Sequence, residues 1–315
     1  MLIAITVPAT NEKGPVYTQQ FLAALHQANT KRLPITLRIA RHNKTIGLQC
    51  RCPDELEQTI KKQFIARYHD CRIDDLPGDP LTEHDEGLQL FTAELWIRPD
   101  VYPILRHPQF QDAVDRSAAD PLSGLLAAIA PSDENDPQTA IEITIRPARR
   151  RRVKIARRII ERLNTPFFRS HRRLADAYAR LTTSRSYILR VVTRLLGMLT
   201  PNATPLHDPL TTSATVLHDR EDDLQAAGDK LKRGRHLFET HVRLLAFAPQ
   251  HCRHQAQAQL RELAAAFAQF NGLATFHFSR RLSRRGFLLS DHELATLWHP
   301  AIASVQTPRM ARTEY

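Results

Sequence analysis

Between Arg146 and Met198 the chain carries sixteen lysines and arginines against only two acids, Glu161 and Asp176. Most are arginine, whose guanidinium presents a fixed fork of donors matched to phosphate or carboxylate oxygens. A stripe of such groups neutralises several phosphates together and releases the counterions condensed on a nucleic acid. The net charge of the whole chain is +11, so the remainder is slightly acidic and the basicity belongs to this one stretch. The candidate phosphate contacts are Arg149, Arg150, Arg151, Arg152, Arg157 and Arg158, with Arg172 and Arg173 further along. The acids within the segment cannot pair with all of them. They must be solvated, paired from elsewhere in the chain, or matched to a polyanion. Phe167, Phe168, Tyr178 and Tyr187 are interleaved and could stack on unpaired bases. The alternative is that these rings pack inward and leave a solvated or acid-paired arginine face. Basic amphipathic helices also suit anionic lipid headgroups, which makes contact with a membrane surface a third reading.

Other chemistries find little support. The sequence has no GxxxxGK[ST] phosphate cradle and no GxGxxG, GxSxG or HExxH motif. His251 and His254 are spaced for one helical turn, but two ligands make a poor metal site beside the four of a structural zinc centre. Asp74-Asp75 and Asp222-Asp223 lie in acidic runs that read as solvated surface. Cys50, Cys52, Cys71 and Cys252 contain no CxxC pair and read as free, buried thiols. No catalytic residue, metal or cofactor is assigned.

The elements that must hold the basic stretch read as α+β. Leu2–Val7 is a β-branched run closed by Pro8, and Val16–Ala28 has helical spacing. Ile35–Ile39 and Thr45–Cys50 alternate with period two about a turn, a hairpin pattern. A helix from Pro53-Asp54 has Leu56, Ile60, Phe64 and Ile65 inward, and Cys71–Ile73 is a short fourth strand. That order, β-α-β-β-α-β, is the ferredoxin-like arrangement. A strand over Gly87–Arg98, a short helix over Leu122–Ala130 and a strand at Ile141–Ile145 follow. The basic region predicts two helices, Val153–Leu163 and a long one from about Ser170 to Met198, then a Pro-rich surface loop from Pro201 to Ser213. Beyond it come a helix at Asp222–Lys232, a buried strand within His236–Ala248, and a helix over His251–Phe270 ending at Asn271-Gly272 in the left-handed cap style. Leu273–Phe278 is a strand, and Ser290 with Glu293 is a capping box. The expected fold is therefore α+β: two ferredoxin-like halves with a basic helical insertion between them. The expected regions are 1–147, an Arg-rich insert and loop over 148–219, a second α+β region over 220–300, and an extended tail over 301–315 with Val305–Arg309 polar and open. No apolar run reaches the ~18 residues of a membrane span, and the N-terminus reads as a strand rather than a signal segment. Both point to a cytoplasmic protein.

Several landmarks resemble a known arrangement. Ile5-Thr-Val-Pro8 through Asn11-Glu-Lys13, then Gln20-Phe-Leu-Ala-Ala-Leu-His26, resembles the opening of the non-motor region of HerA/FtsK-superfamily ATPases, the TraG/TraD-like proteins of type IV secretion and conjugation. Ile143-Thr-Ile-Arg-Pro147, Phe287 to Pro300, and Val305-Gln-Thr-Pro308 are similar to further landmarks of that region. In that family a Walker A motif follows, and these 315 residues hold none. The resemblance implies a non-catalytic accessory module whose partners are a separately encoded motor ATPase and DNA, in the cytoplasm or peripheral at the inner face of the membrane. A homo-oligomer is open. The alternative is a stand-alone nucleic-acid-binding protein that uses the Arg-rich insert.

Overall fold

The computed structural model describes residues 1–42, 45–81, 87–110, 120–130, 137–184, 186, 188–193, 214–283, 285–303 and 310–313. The expected loop at Pro201–Ser213 and the expected extended stretch at Val305–Arg309 lie outside them. The protein is α+β. Its strands are β1 (Leu2–Pro8), β2 (Ile35–His42), β3 (Thr45–Arg51), β4 (Arg72–Leu76), β5 (Leu88–Arg98), β6 (Gln138–Pro147), β7 (Leu237–Pro249), β8 (Thr275–Ser279), β9 (Phe287–Ser290) and β10 (Arg312–Thr313). The helices are α1 (Pro15–Ala28), α2 (Asp54–Ile65), α3 (Ser123–Ile129), α4 (Arg150–Leu163), α5 (Pro166–Ser170), α6 (Arg172–Thr182), α7 (Ala214–Leu231), α8 (Arg253–Ala266) and α9 (Asp291–Leu297).

The described strands form one ten-stranded sheet, in the order β10-β1-β3-β2-β6-β7-β5-β8, with β4 beside β1 and β9 beside β7. The elements β1-α1-β2-β3-α2-β4 lie side by side as β4-β1-β3-β2; the elements β5-α3-β6-β7-α8-β8 lie as β8-β5-β7-β6. The second series repeats the first, element for element and strand for strand. They join through equivalent strands, β2 and β6, paired antiparallel from Ile35↔Ile145 to Ala40↔Ala140. Antiparallel pairing of equivalent strands relates the halves by an approximate two-fold rotation normal to the sheet. By this strand order β5, α3 and β6, which the sequence placed with the N-terminal region, belong to the second series. The basic insert lies between β6 and β7, whereas in the first series only two residues separate β2 from β3.

Strand alternation separates two faces. One row, Ile3–Cys50–Leu37–Ile143–Val242–Leu95, crosses six strands and is buried throughout. It belongs to the main core, to which α1, α2, α3, α8 and α9 contribute Phe21, Phe64, Leu126, Leu260 and Leu294. The next row, Gln49–Arg38–Glu142–Arg243–Glu94, faces the other way with alternating charge, an order in which cross-strand neighbours attract. Arg38 is buried there between Asp79 and Glu142, at 2.7 and 2.6 Å. Burial works against its charge, but the two carboxylates outweigh that and hold its pKa above the ordinary value. Leu81 covers a small second core of Ala40, Ala140, Leu245 and Phe247 on the same face.

The C-terminal segment joins both halves. β9 pairs with the start of β7, from Thr240↔Phe287 to Leu237↔Ser290, where β5 has left β7. β10 pairs parallel with Val7 and Pro8, past the end of the β1–β3 ladder, and the Ala311 amide donates to the Ile46 carbonyl of β3. Each half thus parts its first and third strands at one end, and the same C-terminal segment enters both seams. Between them α9 starts with the expected capping box of Ser290 and Glu293. Trp298 behind it is fully buried, its indole N–H donating to the Arg38 carbonyl.

Two expectations are corrected. In place of one helix from Ser170 to Met198, α6 ends at Thr182 and residues 188–193 are separately helical. The Thr182 and Thr183 hydroxyls donate back to Tyr178 and Ala179 carbonyls at 2.6 and 2.8 Å, the local competition by which hydroxyl residues end or bend helices. Asn271 does not take a left-handed cap: it is extended, at φ −67° and ψ 126°, and its side-chain oxygen accepts from the Phe276 amide.

Candidate nucleic-acid interface

Pro147 ends β6, and the chain turns through Ala148 and Arg149 into α4. No side chain caps this helix and its first turn holds no acid; Arg150, Arg151 and Arg152 occupy it. The amides of a first turn lack intrahelical partners, and the helix dipole adds partial positive charge there. Basic residues at that end oppose the dipole, an arrangement that an anion would relieve. The apolar side of α4, Ala156, Ile159 and Leu163, holds it to the core.

In front of this turn lies a cleft of about 460 Å³. Its floor is the charged face of the sheet, where Arg146, Glu239 and Leu288 are lateral neighbours on β6, β7 and β9. Six arginines line it, Arg146, Arg149, Arg151, Arg152, Arg190 and Arg285, against the carboxylates Asp100 and Glu239. Both carboxylates are engaged. Asp100 accepts from Arg152 at 2.8 Å and from the Leu288 amide at 3.3 Å. Glu239 pairs with Arg32 at 3.3 Å and accepts from the Arg149 amide at 3.4 Å. Arg190 and Arg285 both donate to the Ser184 carbonyl, at 2.6 and 3.1 Å. The guanidinium groups of Arg146, Arg149 and Arg151 have no hydrogen-bond or carboxylate partner among the described residues.

The arginines singled out from sequence therefore divide. Arg149 and Arg151 are exposed and line the cleft; Arg150 is exposed outside it. Arg152 is pinned by Asp100 and by the Gly286 carbonyl at 2.6 Å. Arg157 donates to the carbonyls of Leu231 and Lys232 at the end of α7, so both are structural. Arg158 is exposed beside a separate hollow of about 370 Å³ that Tyr178 and Glu161 also line. Arg172 and Arg173 open α6, and the Arg173 side chain is exposed. Base stacking fares differently from phosphate contact: Phe168 and Tyr178 are buried against each other with ring centroids 5.0 Å apart. Tyr187 lies outside the described residues.

Two cleft components were not singled out from the sequence. Arg285 comes from a turn far along the chain, and only its place among the arginines around 280–285 hints at a role. His241 on the floor holds its Nδ1 3.2 Å from Glu94 Oε1, both buried. Gly286 packs so closely on it that an added Cβ would lie 3.0 Å from the imidazole and 2.6 Å from the Thr240 carbonyl oxygen.

All four cysteines are free, with Cys50 and Cys52 buried and Cys71 and Cys252 partly covered. Among the described residues no group of three or more His, Cys, Asp or Glu could hold a metal, and no helix is long and apolar enough to cross a membrane. No curated protein matches the chain. Residues 3–275 match the family described as Domain of unknown function (DUF8128), a span that holds nearly all of both strand series and the whole insert. The chain belongs to that family.

Proposed function

We propose that the protein is a non-catalytic accessory module that holds nucleic-acid phosphate in the arginine cleft beside α4. It works in the cytoplasm, or peripherally at the inner face of the membrane, next to a separately encoded DNA-translocating motor of the type IV secretion or conjugation kind. The observation that supports the binding role is the charge of Arg146, Arg149 and Arg151, unmatched among the described residues, in one cleft whose two carboxylates are already engaged. The accessory role rests on the sequence resemblance to the non-motor region of HerA/FtsK-type ATPases. We also read each strand series as a ferredoxin-like unit, supported by the order β4-β1-β3-β2 and its repeat. The alternative, a stand-alone nucleic-acid-binding protein, draws support from a cleft built wholly within this chain.

A salt titration of single- and double-stranded DNA binding by fluorescence anisotropy tests the binding role. Three phosphate contacts give a slope of log affinity against log salt between about −2 and −3. Replacing Arg146, Arg149 and Arg151 with Gln flattens that slope by about 0.7–0.9 per arginine, similarly on all sequences, because phosphate contacts carry no direct sequence information. An unchanged slope, or no binding at low salt, overturns the reading. Adding a candidate motor then separates the two roles: DNA-stimulated turnover by the motor changes in the accessory case and not in the stand-alone one.

A further inference from the structure

We propose that the cleft beside α4 receives a phosphomonoester, the terminal phosphate of a nucleic-acid strand, in preference to the internal diester backbone; this rests on the nucleic-acid reading above. Charge and donor count favour the monoester. A phosphomonoester carries about −1.5 to −2 charge at neutral pH and three acceptor oxygens, whereas each backbone phosphate carries a single negative charge. The cleft offers three guanidinium groups with no partner among the described residues, from Arg146, Arg149 and Arg151. To these the first turn of α4 adds the positive end of its dipole. Two of the donors reach the cleft by different routes. Arg146 rises from the sheet floor in register with Glu239, and Arg149 stands at the N-cap of the helix. Their positions on the floor and the wall let both reach one phosphate group from two sides.

Size points the same way. A volume of about 460 Å³ lies within the ~300–1,000 Å³ of sites for small ligands. The frame is also fixed in advance. Arg152 is held by Asp100 and the Gly286 carbonyl, and Arg190 and Arg285 meet on the Ser184 carbonyl. A pre-set frame selects a compact group because little ordering remains to oppose binding.

The experiment uses the full chain and one single-stranded oligonucleotide, labelled at its 3′ end and carrying either a 5′-phosphate or a 5′-hydroxyl. The 5′-phosphate form binds at least tenfold more tightly, and inorganic pyrophosphate displaces it at concentrations that leave the 5′-hydroxyl form bound. The triple variant Arg146→Gln, Arg149→Gln, Arg151→Gln loses the end preference. The exposed pair Arg158→Gln, Arg173→Gln keeps it. Should the triple variant fail to fold, the pyrophosphate competition on the unaltered protein decides the matter. Equal, salt-dependent affinity for both ends overturns the proposal and leaves the nucleic-acid reading standing. Absence of binding to either oligonucleotide overturns both. Capture by vesicles containing phosphatidate, whose headgroup is also a phosphomonoester, without any 5′-phosphate preference on DNA, overturns the nucleic-acid source and assigns the cleft to lipid.

Discussion

The Lys230 ammonium lies 3.0 Å from Glu293 Oε1, and both side chains are sealed from solvent. Lys230 completes its donors on the carbonyls of Asp100 and Tyr102, and Glu293 accepts from the Ile104 and Ser290 amides and the Ser290 hydroxyl. The pair ties the last helix of the insert, α7, to α9. Removing one partner strands a buried charge, which costs about 3–5 kcal/mol. Lys230→Met is expected to lose that much in urea unfolding. A loss under about 1 kcal/mol contradicts this account of the pair.

The arginine run should split by stability. Arg152→Gln breaks the link to Asp100 and the Gly286 carbonyl, with an expected cost of about 2–5 kcal/mol. Arg151→Gln, on an exposed side chain with no partner among the described residues, is expected to stay within about 0.5 kcal/mol of the parent. Denaturation curves of the two variants, run side by side, check the division between structural and ligand-facing arginines.

Gly286 offers a backbone test of the cleft. Its added Cβ would meet the Thr240 carbonyl oxygen at 2.6 Å, and backbone cannot swing aside as a side-chain tip does. Gly286→Ala is expected to cost about 1–3 kcal/mol through overpacking. Because the Gly286 carbonyl holds Arg152, the double variant with Arg152→Gln should lose less than the sum of the two single changes. Full additivity rules out that coupling.

Acid should weaken the α1–α9 side of the molecule. Burial holds the His26, His107 and His292 imidazoles below their ordinary pKa, His107 at about 4; the nearby His236 and His292 rings further disfavour a charge on His26 and His107, while for His292 burial outweighs the Asp291 carboxylate, with Arg235 adding to it. The unfolded chain takes up protons near pH 6.5 that the fold refuses. Their neutral forms therefore support full stability above pH 6.5, and it falls as pH drops from there towards about 4. Urea midpoints measured across that window should decline, and His107→Gln should reduce the decline. A midpoint that is flat between pH 7 and 5 argues against these histidines being held neutral.

Most of the sheet was legible because one face is buried. Ile35-Thr-Leu-Arg-Ile39 and Ile141-Glu-Ile-Thr-Ile145 alternate so cleanly that strand and register follow, and the two prove to be paired neighbours. Their pairing was not legible, since it rests on a symmetry between segments with little sequence in common. Ile65 kept the helical spacing of α2 yet is 46% exposed, because the helix ends there and its last turn leaves the core. The site was half legible. Charge density marked the right turn of chain, but composition cannot tell Arg152, claimed by Asp100, from Arg151, one residue earlier and unclaimed among the described residues. Arg285 was invisible for a simpler reason: its neighbourhood is made by tertiary contact alone.

The segment from Phe287 to Thr313 has a mechanical consequence. A load on β10 falls in shear on Val7 and Pro8 of the first half, and a load on β9 falls on β7 in the second. Both halves feel the tension at the same point of their design, where first and third strands part. Hinge-like swinging of one half on the other would have to tear this segment from two seams as well as break the β2–β6 ladder. Relative motion of the two halves is thus opposed at three places, the β2–β6 ladder and the two seams.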